Sequence, residues 1–254
     1  MLKEIIELVK SAKSIIENEK LKADIKVKGP ADYVTRVDLE VQEYLKNELA
    51  KRFPDTLFMG EEGVHEAAER GKPIWILDPI DGTTNLIHNY NTSAVSLAFC
   101  DKDIIEQAVV YNPFTEQTFY AERGGGAYMN GERIYVNNRE NMGDWLISIG
   151  TSPYEKNRAD RLFELFKRIY LKTADIRRSG SAALDLCYIA CGMTDGYLEQ
   201  ALKPWDYAAG SLILEEAGGI LTQQNGEKLD FYNNCDVLAG TRECYKMLFC
   251  EIHN

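Results

Sequence analysis

Two aspartates three positions apart, Asp78 and Asp81, are the residues of this chain best placed to do chemistry. The Ile80 carbonyl lies between them and the hydroxyls of Thr83 and Thr84 follow directly. Carboxylate, carbonyl and hydroxyl oxygens in one turn suit a hard divalent cation, which takes oxygen ligands and accepts main-chain carbonyls beside carboxylates. Gly82, Thr83 and Thr84 can turn successive amides toward an anion if they begin a helix. One turn could thus hold a metal and the phosphate that the metal activates. The same residues also read as an ordinary strand-ending turn in which both aspartates cap backbone groups.

The element that positions them is the apolar run Ile74, Trp75, Ile76 and Leu77, a buried strand. Pro79 cannot extend a central strand, so the sequence predicts that the strand ends at Asp78, with both carboxylates at the lip of a sheet. Other acids occupy comparable places: Asp38, Glu61, Glu62 and Asp206. Asp38 sits three residues after Thr35, as a capping-box acid would; Glu61 and Glu62 also read as surface charge, and Asp206 as a first-turn carboxylate favoured by a helix dipole. The Asp78 and Asp206 turns each adjoin a tryptophan, which places both near the core. If these acids converge, their mutual repulsion raises their pKa values unless cations neutralise them. With no histidine or cysteine among them, Mg²⁺ is favoured over Zn²⁺.

The chain has 254 residues and a net charge of −11. That length fits one large domain or two small ones. The acidity argues against nucleic acid as a main partner, since a phosphate backbone demands a basic face. No stretch approaches a membrane span, and residues 1–10 alternate charges where a signal peptide needs an apolar run. A soluble, cytoplasmic protein is expected. Six cysteines lack a CxxC pair, and only three histidines could complete a metal site with Cys187 and Cys191, so buried free thiols are expected.

Helical periodicity marks residues 2–16, 36–53 after the Thr35 cap, 156–170 with Leu162, Phe163, Leu165, Phe166 and Ile169 inward, 182–191, 205–217 and 243–252 after Thr241. Ile25 and Val27 suggest an edge strand broken at Gly29 and Pro30, and 57–59 a short strand. Residues 64–72, with His65, read as a polar loop. A meander of antiparallel strands is predicted over 94–99, 104–111, 117–121, 126–129 and 133–136, with Asn130 and Gly131 as a hairpin turn. Gly124 to Gly126 reads as a turn; without a following lysine and helix it is a weak phosphate loop. Further strands are expected at 145–149, 176–178, 196–200, 220–223 and 237–239. The polar stretch 137–144 divides the chain into halves, 1–140 and 141–254, of a mixed layered architecture.

Together, Glu61-Glu62, the run 75–85, Pro204-Trp205-Asp206 and Glu215-Glu216-Ala217-Gly218-Gly219 resemble the signatures of the inositol monophosphatase family of Mg²⁺-dependent, lithium-sensitive phosphatases. The similarity extends from Asp32-Tyr33-Val34-Thr35 and Asp38 to Ala217. It implies a mixed α/β fold, a five-layer α-β-α-β-α sandwich, with the site between the halves and commonly a homodimer. It also implies two or three Mg²⁺ ions, with Mn²⁺ as an alternative. Glu61, Asp78 and the Ile80 carbonyl would hold one ion, and Asp78, Asp81 and Asp206 a second. Glu62 would orient metal-bound water, Thr83 with Asp38 would take its proton, and the amides of Gly82 and Thr83, with Thr84 beside them, would receive phosphate. The alcohol would meet Glu199, Ala182, Thr151 and Asp206. Val27 stands where the family often has lysine, flanked by Lys26 and Lys28, and Thr151 where serine is common. Arg177 and Arg178 are open to a second phosphate or to solvent.

The implied substrate is myo-inositol monophosphate or a similar sugar monophosphate. Relatives of the fold also act on fructose 1,6-bisphosphate, 3′-phosphoadenosine 5′-phosphate or histidinol phosphate. Some bacterial relatives instead serve as partners of the transcription machinery.

Overall fold

The computed structural model describes residues 1–29, 32–63, 69–153 and 156–254; Pro30 and His65 fall outside the described residues. Its N-terminal elements are α1 (Leu2–Ser11), α2 (Lys13–Ile16), α3 (Glu19–Lys22), the hairpin β1 (Ile25–Gly29) and β2 (Asp32–Thr35), and the long helix α4 (Arg36–Arg52). A seven-stranded sheet in sequential order follows: β3 (Leu57–Gly60), β4 (Ile74–Asp81), the short helix α5 (Thr83–Ile87), then β5 (Ala94–Asp101), β6 (Ile104–Asn112), β7 (Gln117–Glu122), β8 (Gly126–Met129) and β9 (Glu132–Ile134). The remainder comprises β10 (Leu146–Ile149), α6 (Ala159–Tyr170), β11 (Asp175–Arg177), α7 (Ala182–Ala190), β12 (Gly196–Leu202), α8 (Pro204–Glu216), β13 (Ile220–Gln223), β14 (Cys235–Gly240) and α9 (Arg242–His253). Its five strands lie in the order β11-β10-β12-β14-β13.

Alternation along the strands dictates how these pieces stack, because successive side chains point to opposite faces. Trp75 and Leu77 join Val95, Leu97, Val109 and Tyr111 beneath α1, α2 and α4. Ile74 and Ile76 instead join Ala98, Ala108, Val110 and Phe119 against α7 and α8. In the smaller sheet Tyr197, Val237 and Ala239 face those same two helices, whereas Ile147, Leu198 and Leu238 face α6 and α9. Both sheets are covered on both faces, which gives the mixed α/β order α-β-α-β-α. Helices α7 and α8 are apolar on most sides because each is packed between two sheets.

The departures from expectation have local causes. The stripe 2–16 is divided: α1 stops at Ser11, whose hydroxyl turns back to the Leu8 carbonyl at 2.6 Å, and α2 resumes at Lys13. β2 is a strand that the sequence does not announce; it pairs antiparallel with β1. β4 does not end at Asp78 but runs to Asp81. β3 pairs with it only as far as Leu77, and the register with β5 shifts between Asp78 and Asp81, so Pro79 falls where the ladder needs no donor. Phe163 is 60% exposed rather than inward, because α6 buries a narrower arc through Leu162, Leu165, Phe166 and Ile169. Thr241 precedes α9, yet its buried hydroxyl makes no capping bond. All six cysteines are unpaired as expected, but Cys191 is half-buried and Cys250 exposed.

At its far end α8 closes with Glu215 and Glu216, acids at the negative pole of a helix, where they are disfavoured. Arg123 offsets one of them, reaching the Glu215 carboxylate with two guanidinium nitrogens at 3.2 Å each. The Gly124 and Gly126 amides donate to the two oxygens of Glu216 at 2.7 and 2.8 Å. The glycine turn does cradle an anion, and the anion is the protein's own.

Because Phe166 is buried and Phe163 is not, Phe166→Ala should cost about 3–5 kcal/mol in urea unfolding. Phe163→Ala should stay within about 0.5 kcal/mol. Equal losses would contradict the assigned face of α6.

Candidate active site

Parallel pairing of β3 with β4 sets two acids side by side. Gly60 lies opposite Leu77, and the Glu61 amide donates to the Leu77 carbonyl at 3.1 Å, so Glu61 emerges next to Asp78. So placed, the Glu61 carboxylate repels the charged form of Asp78. Asp78 Oδ1 accepts from the Ile80 amide at 2.9 Å, which shapes the bulge that carries Asp81 to the same lip. Ser96, opposite Asp78 on β5, donates its hydroxyl to the Trp205 carbonyl at 3.2 Å. That bond ties the first turn of α8, and with it Asp206, to the strand beside β4. Asp206 Oδ2 accepts from the Lys203 amide at 2.7 Å, and Pro204 supplies a first helical position that needs no donor.

A third element orients Asp81. The Ser181 hydroxyl and the Ala183 amide, at the start of α7, donate to Asp81 Oδ2 at 2.6 and 2.7 Å. Gly82 has φ +92°, and a Cβ there would lie 3.1 Å from the carbonyls of Gly180 and Thr92, so this turn requires glycine. α5 starts immediately after it, which leaves the Thr83 and Thr84 amides outside the helical ladder, whereas the Asn85 amide already donates to the Gly82 carbonyl at 2.9 Å. Thr83 Oγ1 donates to Asp38 Oδ1 at 2.8 Å, with the Ile80 carbonyl at 3.2 Å. The other Asp38 oxygen accepts from the Thr35 amide and hydroxyl at 2.8 and 2.5 Å. One carboxylate therefore caps α4 with one oxygen and holds Thr83 with the other.

Glu61, Asp78, Asp81, Asp206 and Glu199 line one cavity of about 400 Å³, together with Ile80, Gly82, Thr83, Thr84 and Ala182. Asp38 reaches that cavity only through Thr83. Glu62 and Thr151 are placed outside its lining. The Glu62 carboxylate accepts from Lys28 Nζ at 2.6 Å, and Gln42 clamps the Glu62 main chain at 2.9 and 2.6 Å. Thr151 is half-buried beside Ser152, and it is the Ser152 amide that reaches Glu199, at 3.2 Å. Lys28 also comes within 3.8 Å of Glu61, whereas Val27 is 71% exposed, so the lysine side chain arrives from one residue later than in the family pattern. Tyr33, His88, Pro153, Arg178, Gly180 and Leu202 complete the wall. His88 stands alone in sequence, with no local pattern to announce it, and the short α5 brings it here; of the pair Arg177 and Arg178, the turn into α7 brings Arg178 to the cavity.

Acids taken out of water beside one another retain protons. Burial, then repulsion from Glu61, Asp81 and Asp206, pushes Asp78 well above the carboxylate range. Asp206 rises for the same reasons. Glu61 is pushed up to about 8, chiefly by burial and against the pull of Lys28. Asp81 rises to about 6 because burial outweighs its bonds to Ser181 and Ala183. Among the described residues no three of these acids are gathered tightly enough to hold an ion as they stand; Asp78, Asp81 and Asp206 each have one oxygen turned to a local donor. As a donor set the acids fit a hard divalent cation, being all oxygen and rich in negative charge.

The profile of the Inositol monophosphatase family matches residues 1–254. The chain belongs to this family. It is 38% identical over 230 residues to the Nus factor SuhB of Pseudomonas aeruginosa, spanning 89% of this chain and 84% of that protein. It is 41% identical over 202 residues to the inositol-1-monophosphatase of Rhizobium meliloti, spanning 80% of this chain and 76% of that one. Its fold matches the crystal structure of the extragenic suppressor protein suhB from Bartonella henselae with a TM-score of 0.91 at 33% identity, over 98% of this chain and 96% of that one. Within the inositol monophosphatase family, then, this member carries its acid cluster just after β3, on β4 and on α8.

The raised pKa values fix the sign of a pH dependence. An acid that keeps its proton to higher pH when folded supports the ion-free fold at low pH. That support fades as pH rises from the ordinary carboxylate range near 4 to about 8, where Glu61 titrates. A divalent cation needs the ionised groups, so binding it releases protons. Saturating MgCl₂ should raise Tm more at about pH 8 than at about pH 5.5 in scanning fluorimetry. An equal rise at both would count against a titrating cluster as the cation's site.

Proposed function

We propose that this protein hydrolyses a phosphate monoester of a small polyol, with inositol monophosphate as the leading substrate, in the presence of two or three Mg²⁺ ions or of Mn²⁺. The observation that carries the reading is the meeting of Glu61, Asp78, Asp81 and Asp206 with the Thr83–Asp38 pair on one cavity. Glu61, Asp78 and the Ile80 carbonyl would hold one cation, and Asp78, Asp81 and Asp206 a second. When bound, such ions supply charge stabilisation for the attacking and leaving oxygens of an in-line displacement.

The chain's own groups do the rest. Thr83 donates its hydroxyl hydrogen bond to Asp38, which leaves its oxygen lone pairs to accept from a water in the cavity. As the water attacks, Thr83 takes its proton and passes its own to Asp38, whose burial favours the protonated form. The amides of Gly82 and Thr83 receive the phosphate, and Glu199 accepts from hydroxyls of the alcohol. Glu62, engaged by Lys28, would help orient the attacking water beside Glu61. Phosphoryl transfer asks mainly for positioning and charge stabilisation, so no covalent nucleophile is needed. Arg178 on the wall keeps a second phosphate, as in a sugar bisphosphate, within the range of substrates. This reading includes inhibition by Li⁺ and a cytoplasmic homodimer; among the described residues no helix is long and apolar enough to cross a membrane.

The relative named as a Nus factor favours a second reading, in which the protein serves the transcription machinery as a binding partner. That role would not require the acid cluster.

Asp78→Asn separates the two. It should abolish Mg²⁺-dependent phosphate release from inositol 1-phosphate while circular dichroism stays native. Because it removes a charge from a repelling set, the ion-free protein should melt no lower than the parent. Retained turnover would refute the assignment.

A further inference from the structure

Glu199 reaches the cavity from the smaller sheet, opposite the acids of β3 and β4, and three separate features fix its carboxylate. Tyr197 lies two residues earlier on the same face of β12 and donates its hydroxyl to Glu199 Oε2 at 2.6 Å. The Ser152 amide donates to Oε1 at 3.2 Å. Gly150 leaves the room: a Cβ there would sit 1.8 Å from Glu199 Cδ.

The backbone on both sides is held in an unfavourable form. Ser152 has φ 41° and Ala201 φ 58°, left-handed values that non-glycine residues seldom adopt. The Ser152 hydroxyl donates to the Gln200 carbonyl at 2.6 Å, and the Ala201 amide donates to Asp236 Oδ1 at 2.8 Å. Between Glu199 and Leu202 the register of β12 against β14 shifts. The loop after β10 and the bulge of β12 are thus stitched together around Glu199. Strain of this kind persists only where the surroundings impose it, and it concentrates at binding sites.

Each carboxylate oxygen offers two acceptor positions, so one bond from Tyr197 and one from Ser152 leave an acceptor on each oxygen in a set direction. Two parallel acceptors match two neighbouring hydroxyls. We propose that Tyr197 is a specificity-determining positioning residue, which, with the Ser152 amide and the bare Gly150, aims Glu199 at vicinal hydroxyls of a polyol phosphate. The alcohol of the ester is read here, apart from its phosphate. This inference rests on the phosphatase reading above.

The test compares inositol 1-phosphate with 4-nitrophenyl phosphate, which has no aliphatic hydroxyl, on the Mg²⁺-loaded protein. Tyr197→Phe should raise KM for inositol 1-phosphate and lower the ratio of kcat/KM between the two esters by about tenfold or more. Glu199→Gln should lower the same ratio, and the double variant should fall no further than Glu199→Gln alone, since the hydroxyl acts through the carboxylate. Gly150→Ala displaces Glu199 without touching Tyr197 and should reproduce the loss of discrimination, which keeps the test available if Tyr197→Phe does not fold. Equal losses on both esters, or effects of Tyr197→Phe and Glu199→Gln that multiply, would overturn the proposal. Failure of the parent chain to turn over either ester would overturn the phosphatase reading itself, and this inference with it.

Discussion

Repulsion among carboxylates held out of water is the constraint that the rest of this structure serves. Charges a few ångströms apart in a low-dielectric interior repel strongly, and a fold that gathers them must supply compensation. Here it comes largely from helix starts. Asp38 caps α4, Asp206 caps α8, and Asp81 receives the hydroxyl and amide at the start of α7. The positive ends of three helices are therefore directed at one cluster, and each acid satisfies donors that would otherwise be orphaned. Lys28 adds a positive charge on the flank, paired with Glu62. The same bonds leave other oxygens available to the cavity, so the devices that make the cluster tolerable also aim it.

The layered architecture follows from where those helix starts must lie. α7 and α8 fill the gap between the sheets and pack on both, which fixes their first turns beside the ends of β4 and β12. A site built there draws on both halves of the chain and inherits the rigidity of the central core. Ser96 illustrates the economy of the arrangement: one hydroxyl on β5 registers α8 against the strand that carries Asp78.

Much of this was legible in the sequence, and the limits are physical. The run from Ile74 to Asn85 announces both strand and turn, because apolar continuity, proline and glycine are local signals. The double use of Asp38 was half visible, since capping is local while its bond to Thr83 spans the fold. Phe163 misled because periodicity counts apolar residues without knowing how wide the partner surface is. Pro79 misled because the rule against proline in central strands assumes a partner on both sides, and β3 stops at Leu77. Thr151 and Ser152 could not be told apart without the backbone, since the contact to Glu199 comes from an amide that every residue but proline possesses. His88 needed tertiary placement altogether, and only that placement tells Arg178 from its neighbour Arg177.

The turn at Gly124 to Gly126 looks from its composition like a dispensable surface loop, the sort of place where an epitope or a fusion partner is inserted. Its amides, however, grip the tail of α8, whose head carries Asp206, so an insertion there would loosen a strut that spans the molecule. The neighbouring reversal at Asn130 and Gly131 carries no such attachment to α8 among its described hydrogen bonds and is the better site for grafting.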